Sequence, residues 1–222
     1  MKILSKWKKT ELIWLVAAST IITALSMYWG DTFVGIMSAL TGIICVILTA
    51  KGNIWCYAWG LINSILYAYI GYINGYYGEF LLNALYYVPM QIFGYYMWKK
   101  HMDTETDTVE FRKLNKRDIV KVTVAILVGI MIWGEGLRRI GGELPYIDGT
   151  TNVLSFVAMI LSIKRYAEQW ILWIIINIIS VGMWAYAMTN GSDNIATLLM
   201  WSVYLGNSIW GYIKWAKGSK EN

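Results

Sequence analysis

No Asp, Glu, Lys, Arg or His stands in the middle of any long apolar run of this sequence. Carriers driven by protons or ions, and proton relays inside a membrane, usually need such groups, so the absence argues against both. Membrane-embedded hydrolysis needs a nucleophile with a base, or a metal cluster. The chain has a single His, His101, within a charged stretch at 99–118, and only two Cys. An enzyme is therefore not expected, and neither a metal centre nor a cofactor is implied. A phosphate-bearing solute would need Arg or Lys to meet it, and the apolar interior offers neither.

What is present is apolar surface in excess of what a soluble domain of 222 residues could hide. Residues of the AVILMFWYC set make up 57% of the chain, only two are Pro, and the charged 15% gather in a few short stretches. Mean hydropathy is +0.46. This is the profile of a polytopic membrane protein. Apolar runs fall at about 11–29, 33–50, 54–74, 80–98, 119–135, 150–163, 169–188 and 195–213. Most approach the roughly 20 residues a spanning helix needs; the sixth is short and must extend into its flanks or tilt little. Continuous runs exclude a porin-type barrel, whose strands alternate over about ten residues. Of the 19 Lys and Arg, only Arg138 and Arg139 fall on one side when the N-terminus is placed on the other. The positive-inside rule then puts both termini in the cytoplasm. The net charge of +5 reports topology and contact with anionic lipid rather than nucleic-acid binding. The basic start resembles a signal peptide, but no A-x-A-like site follows its long apolar run. Cys45 and Cys56 lie at different depths and read as two buried, small apolar thiols.

The sequence also repeats itself. Trp59 and Asn63 recur as Trp173 and Asn177, 114 positions later, with Lys51 opposite Arg165. After a small length difference, Tyr87, Gly94, Tyr95 and Trp98 recur as Tyr204, Gly211, Tyr212 and Trp215. Segments two to four thus repeat as six to eight, and "YWGD" closing the first segment weakly echoes "IWGE" closing the fifth. Four segments separate the two starts, so the repeats run parallel, and transporters built this way hold solute near the midplane between the repeats.

Amides, hydroxyls and aromatic rings stand at matching places in both copies. Asn83, Tyr87 and Gln91 follow a spacing of four in segment four, and Tyr204 and Ser208 do so in segment eight beside Asn207. Trp59 and Asn63 share one side of segment three, and Trp173, Asn177 and Trp184 one side of segment seven. Each amide alone could simply join two helices. The matched set in two repeats favours a lined cavity. Trp55, Trp98 and Trp215 stand near segment ends, where a belt of interfacial aromatics is expected. Such a cavity suits a polar, ring-bearing solute without phosphate, including one with a delocalised positive charge that aromatic faces hold.

The stretch "WGLINSILYAYIGYINGYYGEFLLNALYYVPMQIFGYYMW" resembles the PnuC family of bacterial nicotinamide riboside transporters. The likeness rests on Trp59, Gly60 and Asn63; on Tyr77, Gly78 and Glu79 in a tyrosine-rich turn; on Asn83; and on Gly94, Tyr95 and Trp98. "LPYIDGTTNVLSFVAMILSIKRYAEQWILWIIINIISVGMW" is similar to the second half of that family, and the resemblance covers about 33–216. Asn83 stands where many members carry Gln, and Glu79 where they carry Asp. The resemblance implies an all-α fold like the full-length SWEET carriers, with two three-helix bundles joined by a linking helix. It also implies facilitated diffusion, with a cytoplasmic kinase trapping the product.

The resulting expectation is an all-α membrane protein of about eight transmembrane helices in a 3+1+3 arrangement plus an N-terminal helix. Its parts are 1–32, a basic segment and extra helix; 33–100, the first repeat; 101–149, the charged loop, linking helix and outer loop; 150–216, the second repeat; and 217–222, a tail. The expected solute residues are Trp59, Asn63, Asn83, Tyr87, Gln91, Trp173, Asn177, Trp184, Tyr204 and Asn207. The expected partners are nicotinamide riboside, or thiamine or riboflavin as related vitamins, and the lipid bilayer of a bacterial inner membrane. A homo-oligomer is left open, and a non-transporting sensor or scaffold with the same repeats is the reading from another class.

Overall fold

The computed structural model describes residues 9–28, 30, 32–73, 80–141, 145–189 and 195–221, with the side chains of 184, 187, 195–197, 220 and 221 left aside. Tyr77, Gly78 and Glu79 of the tyrosine-rich turn therefore lie outside the described residues, as does the Trp184 side chain.

Eight helical segments stand among these residues, as the apolar runs require. They are α1 (Lys9–Tyr28), α2 (Phe33–Lys51), α3 (Cys56–Ile73), α4 (Val88–Lys99, entered through a π-helical turn, Leu82–Tyr87), α5 (Lys116–Arg139), α6 (Pro145–Ile163), α7 (Gln169–Thr189) and α8 (Ile195–Gly218). Four of them, α1, α2, α5 and α6, are long and apolar enough by themselves to cross a bilayer. The short sixth run is resolved by extension: α6 starts at Pro145, whose fixed φ and missing N–H suit the first turn of a helix, and reaches 19 residues. Helix ends carry local signals. Thr32 Oγ1 accepts the Gly35 N–H at 3.1 Å ahead of α2, and Asn115 Oδ1 accepts the Asp118 N–H at 2.9 Å ahead of α5.

Within the first repeat α2 packs on α3 and α3 on α4; within the second α6 packs on α7 and α7 on α8. The first helix of each repeat also meets the last helix of the other, α2 against α8 and α6 against α4. The linking helix α5 lies along α6, and α1 lies along α2 and also touches α8.

The turns between the first two helices of each repeat match bond for bond. Gly52 N–H reaches Thr49 O, and Arg165 N–H reaches Ser162 O, both at 2.9 Å. Asn53 N–H reaches Leu48 O, and Tyr166 N–H reaches Leu161 O, again at 2.9 Å. Gly52 and Arg165 both hold positive φ, 76° and 67°. The turn thus pairs Arg165 with Gly52 rather than with Lys51, a register one residue away from the Trp59–Trp173 alignment. Buried Ser64 then corresponds to buried Asn177. Asn63 and Asn177 accordingly face different neighbours.

The segment after α4 is built, not loose. β1 (Met102–Asp103) pairs antiparallel with β2 (Thr108–Val109), and β3 (Arg112–Lys113) pairs parallel with β4 (Lys220–Glu221). This segment bonds to the turns of both repeats. Ile54 N–H reaches Asp107 O at 2.9 Å and Val109 N–H reaches Gly52 O at 3.0 Å; Arg112 N–H reaches Arg165 O and Ala167 N–H reaches Arg112 O, both at 2.9 Å. We call this the basic end of the bundle.

Beneath it lies the main core. Trp98 and Trp215 are fully buried, which corrects their expected place in an interfacial belt; Trp55, 48% exposed, keeps an open position. A buried indole N–H needs an acceptor, and each of the two finds a helix-end carbonyl of the other repeat. Trp98 Nε1 donates to Ser162 O at 3.0 Å, and Trp215 Nε1 donates to Ala50 O at 3.1 Å. Phe111 stacks on Trp215 with centroids 4.3 Å apart, and Tyr57 meets Trp98 edge-on at 4.9 Å. Cys45 and Cys56 are both free thiols.

Candidate solute site between the repeats

Gly42, in the middle of α2, marks where the repeats meet. A Cβ there would stand 3.1 Å from Asn63 Nδ2 and 3.2 Å from Tyr204 Oη. Without one, the amide from α3 and the phenol from α8 both approach the bare helix. Asn63 Nδ2 donates to Ser38 O at 2.7 Å and lies 3.3 Å from Ser38 Oγ. An amide in an apolar run is costly unless satisfied, and α2 supplies its partner.

Asn177 Nδ2 donates to Ser208 Oγ at 2.9 Å, linking α7 to α8. Gln91 packs its amide against Gly60, where a Cβ would come within 2.5 Å of Nε2, so α3 and α4 close tightly beside the half-buried Trp59. Asn83 is 7% exposed and belongs to the π-helical turn, whose carbonyl at Asn83 accepts the Val88 N–H five residues on. Such turns break helix regularity and recur at functional sites. Tyr87 lies edge-on to Tyr86, centroids 5.1 Å apart. Tyr86 then crosses to the other repeat, its hydroxyl donating to Phe156 O at 3.0 Å and its ring meeting Phe156 at 4.6 Å. Trp173, half-buried, packs on the core of both the basic end and α6.

Asn207 is turned elsewhere. It is 2% exposed, its Oδ1 accepts the Trp14 Nε1–H of α1 at 3.4 Å, and its Nδ2 donates to Val46 O at 3.2 Å. It joins α8 to α1 and α2. The structure thus gathers Asn63 and Tyr204 about Gly42, and gives Asn177, Gln91 and Tyr87 places at helix joints nearby. Gly42 and Tyr86 escape sequence reasoning, since a glycine in an apolar run and one tyrosine among many carry no signal of their own.

A second polar centre was also not legible. Glu11 of α1 is 4% exposed and holds two lysines: Lys51 Nζ stands 3.3 Å from Oε2, and Lys214 Nζ donates to Oε1 at 2.6 Å. It ties α1 to the ends of α2 and α8.

A helical bundle with parallel repeats, crossed at their ends and meeting through amides and rings about Gly42, defines a multi-pass membrane transporter. A family model described as nicotinamide mononucleotide transporter matches residues 32–217, and the chain belongs to that family. It is 42% identical over 95% of its length to the nicotinamide riboside transporter PnuC of Neisseria mucosa, covering 82% of that protein. It is 36% identical over 96% of its length to the PnuC of Haemophilus influenzae, covering 92% of it. The Escherichia coli PnuC is 29% identical over 69% of the chain and 76% of that relative. Its fold superposes on a crystal structure of a vitamin B3 transporter, PnuC, with a TM-score of 0.81 at 42% identity, over 95% of this chain and 92% of that one. The protein is a transporter, not an enzyme.

Proposed function

We propose that this chain carries nicotinamide riboside into a bacterial cell across the cytoplasmic membrane by facilitated diffusion. Residues 33–100 and 150–216 act as the two halves that flank the solute, and both termini face the cytoplasm. The observation that carries the reading is the approach of Asn63 and Tyr204, from opposite repeats, to the bare backbone at Gly42. The relatives named nicotinamide riboside transporters support the choice of solute.

In this reading Trp59, Tyr87, Trp173, Trp184 and Tyr204 offer ring faces to the pyridinium, a contact of about 1–2 kcal/mol when desolvated. Asn63, Asn83, Gln91 and Asn177 read the carboxamide and ribose hydroxyls, each bond contributing about 0.5–1.5 kcal/mol net, while Asn207 holds α8 to α1 and α2. Solute hydroxyls take the places that Ser38 O and Ser208 Oγ now hold on Asn63 and Asn177. With no titratable residue in the middle of its apolar runs, the carrier equilibrates its solute, and a cytoplasmic kinase that phosphorylates the product makes uptake directional.

Counterflow in proteoliposomes tests this. Labelled nicotinamide riboside should exchange against unlabelled, and should not accumulate under an imposed proton or sodium gradient. Exchange driven by thiamine or riboflavin in its place would reassign the solute; no exchange with any of the three would leave a sensor or scaffold.

A further inference from the structure

The same turn occurs twice in this fold, and the two copies differ at their left-handed residue. The first uses Gly52, which adopts φ 76° without strain. The second uses Arg165 at φ 67°, a conformation that L side chains rarely hold. Its backbone is pinned, with the N–H bonded to Ser162 O and the carbonyl accepting the Arg112 N–H. A strained, fixed residue is a reason to ask what its side chain does.

The Arg165 side chain is 8% exposed, and among the described residues it makes neither a hydrogen bond nor an ion pair. Glu110 acts on it from a distance, while Arg112 repels it; burial first, and then Arg112, weaken its hold on its proton relative to an ordinary arginine. Another acid of this region, Glu168, is engaged with the Leu114 N–H at 3.2 Å. Arg112 stacks over the Tyr166 ring at 4.9 Å. Arg165, Arg112 and Tyr166 border a cavity of about 340 Å3 whose wall also includes Met97, His101 and Lys164. That volume falls within the ~300–1,000 Å3 of ligand pockets. The wall joins three cationic side chains and an imidazole to an apolar flank, and lies at the basic end, where the end of α4 meets the turn after α6.

The geometry points to an organic-phosphate site at the basic end, in which Arg165, Lys164 and Arg112 hold the phosphoryl oxygens of a phosphomonoester or of an anionic lipid headgroup. A guanidinium matches phosphate in charge and in fork geometry. Basic pockets at the ends of spanning helices hold lipid headgroups through the same contacts. The inference is independent of which solute the transporter carries.

The full-length protein in neutral detergent serves for the test. Its unfolding temperature is followed against inorganic phosphate, ribose 5-phosphate, phosphatidylglycerol and phosphatidylcholine, with sodium chloride at matched ionic strength as reference. A saturable rise is expected with ribose 5-phosphate if the ligand is a soluble phosphate, or with phosphatidylglycerol but not phosphatidylcholine if it is a headgroup. Arg165→Gly, which restores the residue of the first turn, and Lys164→Gln, at an exposed position, should each weaken the half-saturating concentration at least tenfold. No saturable rise beyond that of sodium chloride, or an unchanged midpoint in both variants, overturns the site.

Discussion

Gly42→Ala separates binding from folding at one atom. In a helix interior Ala is favoured over Gly by roughly 0.8–1.0 kcal/mol, so backbone propensity alone would stabilise the protein. The added methyl stands 3.1 Å from Asn63 Nδ2 and 3.2 Å from Tyr204 Oη, closer than carbon usually sits, so both must retreat by a few tenths of an ångström. Asn63 cannot retreat freely, because its Nδ2 is held by Ser38 O at 2.7 Å. The two effects oppose each other in stability and leave the unfolding temperature close to that of the parent. Binding has no such compensation. Losing one well-aligned hydrogen bond of about 1 kcal/mol, together with a ring contact of similar size, weakens affinity about tenfold to thirtyfold. Isothermal titration with nicotinamide riboside gives the affinity, and a thermal melt of the same sample gives the stability. A variant that melts several degrees lower yet binds the solute as tightly as the parent would refute the placement of Asn63 and Tyr204 at the solute.

Asn177→Leu should weaken binding about tenfold or more with folding intact, whereas Asn207→Leu, at the joint with Trp14 and Val46, should mainly lower the melting temperature. Titration and melting of both variants give the contrast, and two variants with the same profile would contradict it. Glu11→Leu removes the carboxylate that buried Lys51 and Lys214 share and should cost about 3–5 kcal/mol, read as a large drop in melting temperature or yield. Cysteine placed at Ser192, which lies outside the described residues, should react in intact cells with an impermeant reagent, while cysteine at Gly218 should not; the reverse labelling would invert the topology.

The helices were legible because an apolar run of about 20 residues has few other uses. The repeat was legible from its Trp-x-x-x-Asn and Gly-Tyr-x-x-Trp pairs, but its register was not. Matching tryptophans drew the alignment to Trp59 and Trp173, while the turn hydrogen bonds set Gly52 against Arg165. A glycine at a left-handed position announces a turn; an arginine at the same φ conceals it. The charged segment 101–113 has no hydrophobic period, and strands of two residues leave none to find, so its bonding to both turns was invisible. Trp98 and Trp215 near segment ends suggested the membrane interface, yet the covering segment with Phe111 encloses them. Residue type singled out Asn63 and Tyr204, whose helix faces meet the α2 backbone at Gly42. For Asn207 it could not distinguish that face from the neighbouring one, where α1 waits with Trp14.

With both turns bonded to one segment and each repeat's last tryptophan bonded to the other repeat, the bundle is fastened at its basic end like the joint of a pair of calipers. Helices of about 20 residues are about 30 Å long, so a swing of about 10° about that joint opens the far end by about 5 Å. Gly42 lies about 9 residues from the end of α2, some 14 Å up the arm, where the same swing is worth about 2 Å. That is enough to draw Tyr204 off Gly42 while Asn63 and Ser38, which ride on one arm, stay together. The repeats could thus release one wall of the site and keep the other assembled, and the sensitivity of that step is set by how far Gly42 stands from the joint.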